Sequence, residues 1–246
     1  MKITTYGKLH QLAFMPRLFP VNCYLVEEED GLTLVDCAMP FSAKGILAAA
    51  TKLGKPIRRI ALTHAHGDHV GALDRLKQAL PEAEVMISTR DAKLLAGDTS
   101  LQADEPQHII RGDVPKKIVT RPDRLLQDGD TIGSLAVHAA PGHTPGMLAF
   151  LDTRIGALIA GDAMQTRGGV AVAGTLMPWF PFPAMATWHK PSALESARRL
   201  AALQPTLLAV GHGKLLMNPL PAMQRAIERA EAELGKAGQK RGGLHA

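Results

Sequence analysis

Three histidines and one aspartate lie within six consecutive positions and form the clearest chemical motif of the chain. They are His64, His66, Asp68 and His69, and they follow an apolar, strand-like run that ends at Thr63. Neutral imidazole and carboxylate groups bind zinc, iron, manganese or nickel, and the motif has none of the thiolates of a closed structural zinc site. The motif therefore predicts a metal-ligand loop at the end of a strand.

Three further candidate ligands follow other strand-like segments. They are His143, Asp162 and His212, each at the point where an apolar run gives way to a loop. A rigid sheet can present functional side chains from the loops at its edge, so these residues can meet the histidine-rich loop. Seven donors are too many for one tetrahedral ion, but they suit two ions if one carboxylate bridges them.

The order strand, aspartate, helix, proline, strand, histidine occurs twice along the chain. The first copy runs from Asp36 to His64, and the second runs from Asp162 to His212. A serine stands where each helix is expected to begin, and a proline follows each helix, as helix-capping preferences lead us to expect. The repetition predicts two halves that contain βαβ units and face one another.

On these motifs the chain resembles the metallo-β-lactamase superfamily, which shares the His-x-His-x-Asp-His signature and the later His, Asp and His in the same order. The resemblance implies an α/β fold, a four-layer αββα sandwich of two similar halves with the metals at the seam between two sheets. It implies two divalent ions per chain, Zn²⁺ by preference, with iron, manganese and nickel as alternatives. Ligands implied for the first ion are His64, His66 and His143, those for the second are Asp68, His69 and His212, and Asp162 bridges them.

The same resemblance gives Asp36 a supporting role that steadies the ligand loop, since such partners fix the orientation of ligating histidines. The sequence contains no G-x-S-x-G nucleophile motif, so a hydroxide that bridges the two metals is the expected nucleophile. Asp68 is the expected catalytic residue, which orients this hydroxide and carries its proton to the leaving group. The predicted function is hydrolysis of an ester, lactone or thioester.

The sequence indicates the subfamily less clearly than the superfamily. Family members that hydrolyse β-lactams lack the bridging aspartate, so Asp162 disfavours that activity. Glyoxalase II-like thioester hydrolases keep all seven ligands but add a basic glutathione-binding C-terminal region that is not visible here. Acyl-homoserine lactonases carry a tyrosine shortly after the bridging aspartate, where this chain has Ala163 to Thr166 without one. A lactonase, an RNA or phosphodiester hydrolase and a mononuclear iron persulfide dioxygenase remain alternatives.

The second copy of the repeat is longer than the first because of a segment between Asp162 and Pro191. Residues 168–188 of this segment carry no charge and are rich in aromatic and Met residues. Long loops with their own apolar residues often act as lids or binding surfaces. We interpret 168–188 as a lid or pocket wall, with a homodimer interface and a passive cap as alternatives. The predicted pocket residues are Trp179, Phe182, Trp188 and His189.

The composition of the chain limits the number of domains and the classes of partner. The 246 residues are 46% hydrophobic and 21% charged, which suits one hydrolase domain over 1–235 followed by a flexible basic tail over 236–246. A formal net charge of +5 is too small to indicate a nucleic-acid partner. We expect a small-molecule substrate with an apolar part.

Two further features bear on location. Cys23 and Cys37 form no CxxC pair, so we expect buried free thiols in a reducing compartment. The N-terminus lacks the continuous apolar stretch of a signal peptide, and three prolines interrupt the uncharged segment 168–188 as a membrane span. The prediction is a cytoplasmic protein with no membrane partner.

Overall fold

The computed structural model describes residues 1–242, and it describes side chains as far as Lys236. Within the described residues the fold comprises two large sheets, one two-stranded hairpin and seven helices. The first sheet keeps chain order and consists of β1 (Lys2–Tyr6), β2 (Leu9–Phe14), β3 (Val21–Glu27), β4 (Leu32–Val35), β5 (Ile57–Ala61), β6 (Glu84–Ser88) and β7 (Arg124–Leu126). Its strands are antiparallel as far as β4 and parallel from β4 to β7.

The second sheet has the order β15-β14-β11-β10-β9-β8. Its strands are β8 (Thr131–Ile132), β9 (Leu135–Ala139), β10 (Leu148–Asp152), β11 (Ala157–Ile159), β14 (Leu207–Ala209) and β15 (Leu216–Met217). A separate small hairpin pairs β12 (Met164–Gln165) with β13 (Ala171–Val172). The helices are α1 (Ala43–Leu53), α2 (Gly67–Val70), α3 (Leu73–Ala79), α4 (Thr89–Leu95), α5 (Phe182–Met185), α6 (Lys190–Ala202) and α7 (Leu220–Gly242).

Three apolar clusters separate the layers. One cluster joins the first sheet to α1, α3 and α4, and another joins the second sheet to α6 and α7. The third contains residues of both sheets, such as Tyr24 and Val35 from the first and Phe150 and Ile159 from the second. Helices therefore cover the outer faces of two sheets that pack on each other, and the predicted αββα sandwich is confirmed.

The internal repeat corresponds to two βαβ units. β4, α1 and β5 form one unit with parallel strands, and β11, α6 and β14 form the other. The capping of the two helices differs from the prediction, which rested on serines. Ser42 precedes α1 but its side chain makes no capping hydrogen bond, whereas His189 Nδ1 accepts the Ser192 backbone N–H and caps α6. Neither helix therefore uses the predicted serine as a cap: α1 has no side-chain cap, and in α6 a histidine takes that role.

The C-terminal helix is longer than the sequence pattern indicates. The pattern predicts an amphipathic helix over 221–234, and α7 runs from Leu220 to Gly242. It thus includes the first part of the predicted flexible tail 236–246, while residues 243–246 lie outside the described residues. Within the described part of the chain, every helix is too short or too polar to cross a membrane. Cys23 and Cys37 are buried free thiols, as predicted, and burial raises the pKa of both.

Candidate metal centre

The histidine-rich loop connects β5 to α2 and turns sharply between them. His66 has extended backbone angles and directly precedes the first helical residue, Gly67. A side chain at Gly67 would collide with the carboxylate of Asp113, so a residue without one is needed at this position. The loop leaves the carboxyl end of the inner strand β5 and turns at once into α2. The four candidate ligands of the loop and of α2 are therefore held close to one another.

The seven predicted ligands converge in space. The candidate ligand atoms within each of three overlapping groups lie no more than 4.8 Å apart. These groups are His64, His66 and His143; His64, His69 and Asp162; and Asp68, His69 and His212. The site therefore brings together donors from both halves of the repeat, as the sequence predicts.

Asp162 lies between the two sets of ligands. Its Oδ2 is 3.2 Å from His212 Nε2 and 3.4 Å from His143 Nε2, while its Oδ1 is 3.4 Å from His69 Nε2. His143 belongs to the set implied for the first ion, and His69 and His212 belong to the set implied for the second. One carboxylate thus reaches both sets, which is the arrangement that a bridging ligand requires.

The outward-facing nitrogen of each candidate histidine is held by another group of the protein. Asp36 Oδ2 lies 2.8 Å from His69 Nδ1, and the same carboxylate accepts hydrogen bonds from the Thr63 backbone N–H and hydroxyl. The other partners are Thr63 Oγ1 for His64, Arg111 O for His66, Thr187 Oγ1 for His143 and Pro20 O for His212. These contacts leave His66 Nδ1 and the Nε2 atoms of the other four histidines directed at the centre.

The donor set fits divalent metal ions. Within the described residues, His64 Nε2, His69 Nε2 and Asp162 Oδ1 are buried and make no hydrogen bond, although His69 Nε2 and Asp162 Oδ1 lie 3.4 Å apart. A buried polar atom without a partner costs roughly 1–3 kcal/mol, and coordination to a cation would satisfy all three atoms. Imidazole nitrogens and carboxylate oxygens are ligands that zinc and iron accept. The cluster is therefore a candidate metal-binding site.

Electrostatics in the cluster also favour bound cations. Burial opposes the charged form of His212, but Asp162 and Asp68 outweigh it and raise the pKa of His212 to about 10. Burial likewise opposes ionisation of Asp162, yet His212 and His69 hold its pKa well below the usual range. His143 behaves in the opposite way, since burial lowers its pKa to about 3. Anionic carboxylates at the centre thus attract positive charge, which metal ions can supply in place of protons.

Asp91 is a structural member of the site that sequence reasoning missed. It is fully buried, and its carboxylate accepts hydrogen bonds from the Ala65 N–H, the Thr144 hydroxyl and the Gly146 N–H. Asp91 therefore ties the histidine-rich loop to the loop that carries His143. Its position in a short helix gave no signal for this role, because nothing in its spacing relates it to the histidines.

A cleft of about 1070 Å³ opens onto the centre. Five of the seven candidate ligands face it: His66, Asp68, His143, Asp162 and His212. An apolar wall is formed by Phe19 and by Phe182, Pro183, Met185 and Ala186 of the segment 168–188. The other wall is formed by Arg75 and by 112–118, part of an irregular segment over 98–121 that we call the strap. The site is thus open to a substrate of considerable size.

The four predicted pocket residues lie in different surroundings. Phe182 lines the cleft. Trp179 is 87% exposed and lies outside the cleft lining. Trp188 is buried, and its indole N–H donates to His108 O at 2.9 Å, while His189 caps α6. The segment 168–188 therefore contributes to the cleft through α5 and its flanks, and its role as lid, interface or cap stays a prediction.

Comparison with known proteins agrees with this geometry. A family model described as the metallo-beta-lactamase superfamily matches residues 16–212. The chain is 59% identical over 231 residues to "uncharacterized protein YobT" of Bacillus subtilis, covering 94% of this chain and 99% of that protein. It is 29% identical over 213 residues to "probable metallo-hydrolase YflN" of the same organism, covering 78% and 80%.

A more distant relative is a hydroxyacylglutathione hydrolase of Gloeobacter violaceus, 30% identical over 151 residues. The match spans 60% of this chain and half the length of that enzyme. Among solved structures, TTHA1623 in a di-iron-bound form has a TM-score of 0.63 at 29% identity, covering 86% of this chain and 96% of that one. The DIM-1 metallo-beta-lactamase shares the fold, with a TM-score of 0.71 at 16% identity over 94% and 97%. The chain belongs to the metallo-β-lactamase superfamily of metallohydrolases.

Proposed function

We propose that the protein is a binuclear metal-dependent hydrolase that cleaves a carboxylic ester, lactone or thioester. The main support for the proposal is the position of Asp162. Its carboxylate oxygens lie within 3.4 Å of histidine nitrogens of both ligand sets. Each set could hold one ion, and a central carboxylate within reach of both sets suits a pair of ions. Zinc is our first choice of metal, because imidazole and carboxylate ligands with an open side suit it.

Bound in this cluster, two divalent ions would supply a water of lowered pKa and a Lewis acid for the substrate carbonyl. The protein's own contribution is positional. Hydrogen bonds that the five histidine rings donate to Asp36, Thr63, Arg111, Thr187 and Pro20 fix those rings, and Asp91 fixes the loops that carry three of them. Such fixed ligands need little reorganisation when charge develops on the substrate.

Asp68 is the residue to which we assign proton transfer. Its side chain is 24% exposed and lines the cleft, whereas Asp162 is almost fully buried. The Oδ2 atom of Asp68 lies 3.3 Å from His212 Nε2, and the side chain faces the cleft in which a substrate would bind. A carboxylate in this position can accept a proton from the attacking water and deliver it to the leaving group.

Asp68→Asn tests this assignment, because an amide keeps an oxygen but cannot shuttle a proton. We expect turnover of alkyl esters and lactones to fall roughly 10²- to 10⁴-fold, the usual worth of a positioned acid–base group. Activated aryl esters and thioesters, whose leaving groups need no proton, should lose less. An equal loss for both kinds of substrate at unchanged metal content would show that Asp68 only orients the water.

Among the candidate bonds, the thioester has most support from the relatives, several of which are named hydroxyacylglutathione hydrolase. The lactonase alternative would need a tyrosine at the site, and neither tyrosine of the chain lines the cleft. Tyr24 is buried and donates its hydroxyl to Val210 O at 2.6 Å, and Tyr6 lies in β1 outside the cleft. We propose a small-molecule substrate with an apolar part that packs on the wall around Phe182, and no nucleic-acid or membrane partner.

The test is a hydrolysis screen of the purified chain after reconstitution with zinc, iron or manganese. Lactones, thioesters, aryl esters and phosphodiesters form the panel, and metal-stripped protein is the control. We expect turnover of one of the three carboxylic classes that depends on metal and not on oxygen. Turnover only of phosphodiesters, or only in the presence of iron and oxygen, would contradict the proposal.

A further inference from the structure

The strap is fixed to the rest of the molecule at its two ends and near its middle. Toward its start, the guanidinium of Arg90 donates to Ser100 O and to both carboxylate oxygens of Glu105 at 2.7 and 2.9 Å. Farther along, His108 O accepts the indole N–H of Trp188 at 2.9 Å. These contacts hold the first half of the strap in place beside α4 and the segment 168–188.

The second half of the strap is fixed beside the metal ligands. His66 Nε2 lies 2.9 Å from Arg111 O, and the Gly67 N–H donates to Asp113 O at 2.8 Å. The Asp74 carboxylate of α3 accepts the backbone N–H and the hydroxyl of Thr120. Between these anchors, residues 114–118 run along the cleft as its second wall.

The free charges of this wall are mostly positive. Arg75, Lys116 and Lys117 line the cleft, are exposed, and have no carboxylate or hydrogen-bond partner among the described side chains. The wall has two carboxylates, Asp113 and Asp74, and Asp74 keeps its negative charge because its hydrogen bonds come from neutral groups at the end of the strap. Three unpaired cations against two carboxylates give this side of the cleft a positive balance, which attracts a negatively charged group.

Another part of the cleft lining carries no charge. Phe19, Phe182 and Met185 are apolar, and the two Phe rings contact each other at a centroid distance of 5.0 Å. The metal ligands, the strap residues and these apolar residues line one cleft of about 1070 Å³, so one extended substrate can contact all three. The two walls therefore select for two different parts of one molecule.

We infer that the substrate carries an anionic group, in the first place a carboxylate, and that Lys116, Lys117 and Arg75 are the specificity-determining residues that bind it. This inference rests on the proposed hydrolase function. The substrate class is an apolar acyl thioester or ester with a carboxylate on the acyl or the leaving side. Several cations around one carboxylate add affinity and, by electrostatic attraction, speed association.

Two pairs of thioesters test the inference, and the members of each pair differ by one carboxylate. S-butyryl-N-acetylcysteine is compared with S-butyryl-N-acetylcysteamine for the leaving side. S-glutaryl-N-acetylcysteamine is compared with its terminal amide for the acyl side. In at least one pair the charged member should have roughly tenfold higher kcat/KM, and the preference should shrink as salt rises through about 0.5 M, since mobile ions screen exposed charges.

The matched variants are Lys116→Gln/Lys117→Gln and Lys44→Gln/Lys52→Gln. Both remove two exposed lysine charges, but Lys44 and Lys52 lie on α1, away from the cleft. The strap variant should lower kcat/KM for the preferred charged thioester roughly 3- to 30-fold, the worth of two exposed charge pairs. It should lower kcat/KM for the neutral partner much less, and the α1 variant should change neither.

A binding measurement separates this inference from the proposed function. The thioethers S-butyl-N-acetylcysteine and S-butyl-N-acetylcysteamine cannot be hydrolysed and can be titrated into the metal-loaded protein by calorimetry. Tighter binding of the carboxylate thioether that is lost in Lys116→Gln/Lys117→Gln supports the inference even if no thioester is cleaved. Equal rates within both substrate pairs, or an equal effect of the strap variant on charged and neutral members, overturns it while leaving hydrolysis in place.

Discussion

Each of the two βαβ units has an aspartate after its first strand, but the two aspartate side chains contact different groups. In β4–α1–β5 the aspartate itself has left-handed backbone, with φ of 62° at Asp36, and its carboxylate turns toward Thr63 and His69. In β11–α6–β14 the left-handed residue is Gly161, with φ of 49°, and the following Asp162 faces the other ligands. A shift of one residue in the left-handed position thus separates a supporting carboxylate from a candidate ligand.

The units also differ in the connection between the aspartate and the helix. In the first unit α1 begins at Ala43, soon after Asp36, and the short intervening turn contributes Met39 and Pro40 to the cleft lining. In the second unit the connection carries β12, β13 and α5 before α6 begins at Lys190. The same βαβ framework therefore supports the metal ligands in one half, and in the other half it also carries a wall for the substrate.

The largest expected effect lies at the two aspartates. Asp162→Ala should remove one or both metals and abolish turnover, because both ligand sets lose their shared carboxylate. Asp36→Ala should retain the ligands but loosen His69, with roughly 10- to 100-fold loss of metal affinity or activity. Metal content per chain and kcat/KM measure both. Similar losses of metal and activity in the two variants would contradict the assignment of Asp162 as a ligand and of Asp36 as a residue that only supports His69.

The next effect concerns the left-handed glycine of the second unit. A Cβ atom on Gly161 would lie 2.8 Å from Thr63 Cβ, on the residue that binds Asp36. Gly161→Ala should therefore lower the free energy of unfolding by about 2–4 kcal/mol, from left-handed strain and overpacking together. Gly54→Ala is the control, since Gly54 is also left-handed but has open space around it. It should cost only about 1 kcal/mol in denaturant unfolding.

The inserted segment gives a smaller, kinetic effect. Phe182→Ala should raise KM for long-chain or aromatic substrates roughly 3- to 10-fold at unchanged metal content, because a large part of an apolar contact surface is lost. Trp179→Ala is the matched control, since Trp179 is 87% exposed and outside the cleft lining. If either variant changes the protein from dimer to monomer with kinetics intact, the segment is an interface rather than a pocket wall.

The helix caps should give the smallest effect. His189→Ala removes the side-chain cap of α6 and should cost about 1 kcal/mol or less. Ser42→Ala should cost close to nothing, because that hydroxyl is buried without a partner. Burial, and then neighbouring His108, lower the pKa of His189, so the folded state favours the neutral, cap-accepting ring. Its stabilisation is therefore present above about pH 6.5 and is lost as pH falls through the lowered folded pKa, which unfolding at several pH values measures.

The sequence predicts those parts of the site that are side chains with a recognisable chemistry at strand ends. His64, His143 and His212 each follow a short strand, and strands with apolar runs are readable from their pattern. The repeat of strand, aspartate, helix and strand predicts the two βαβ units. The layer order comes from the resemblance to the family, since local patterns do not fix how sheets pack.

Other parts of the site have no signal in the sequence. Arg111 supports His66 through its backbone carbonyl, which any residue could provide. Asp91 joins two ligand loops through contacts that depend on tertiary structure. The sequence predicts that Trp188 faces the substrate. In the structure its indole N–H donates to His108 O of the strap, and the ring is buried. Aromatic residues in an irregular loop have no periodicity from which their direction can be read.

The most direct test of the account is the number of metal ions that the wild-type chain binds. Elemental analysis of protein reconstituted with excess zinc and freed of unbound metal should give about two ions per chain, and Asp162→Ala should give one or none. One iron per chain with turnover that depends on oxygen would contradict the binuclear hydrolase. So would two tightly bound ions in Asp162→Ala, because the central carboxylate would then have no part in holding them.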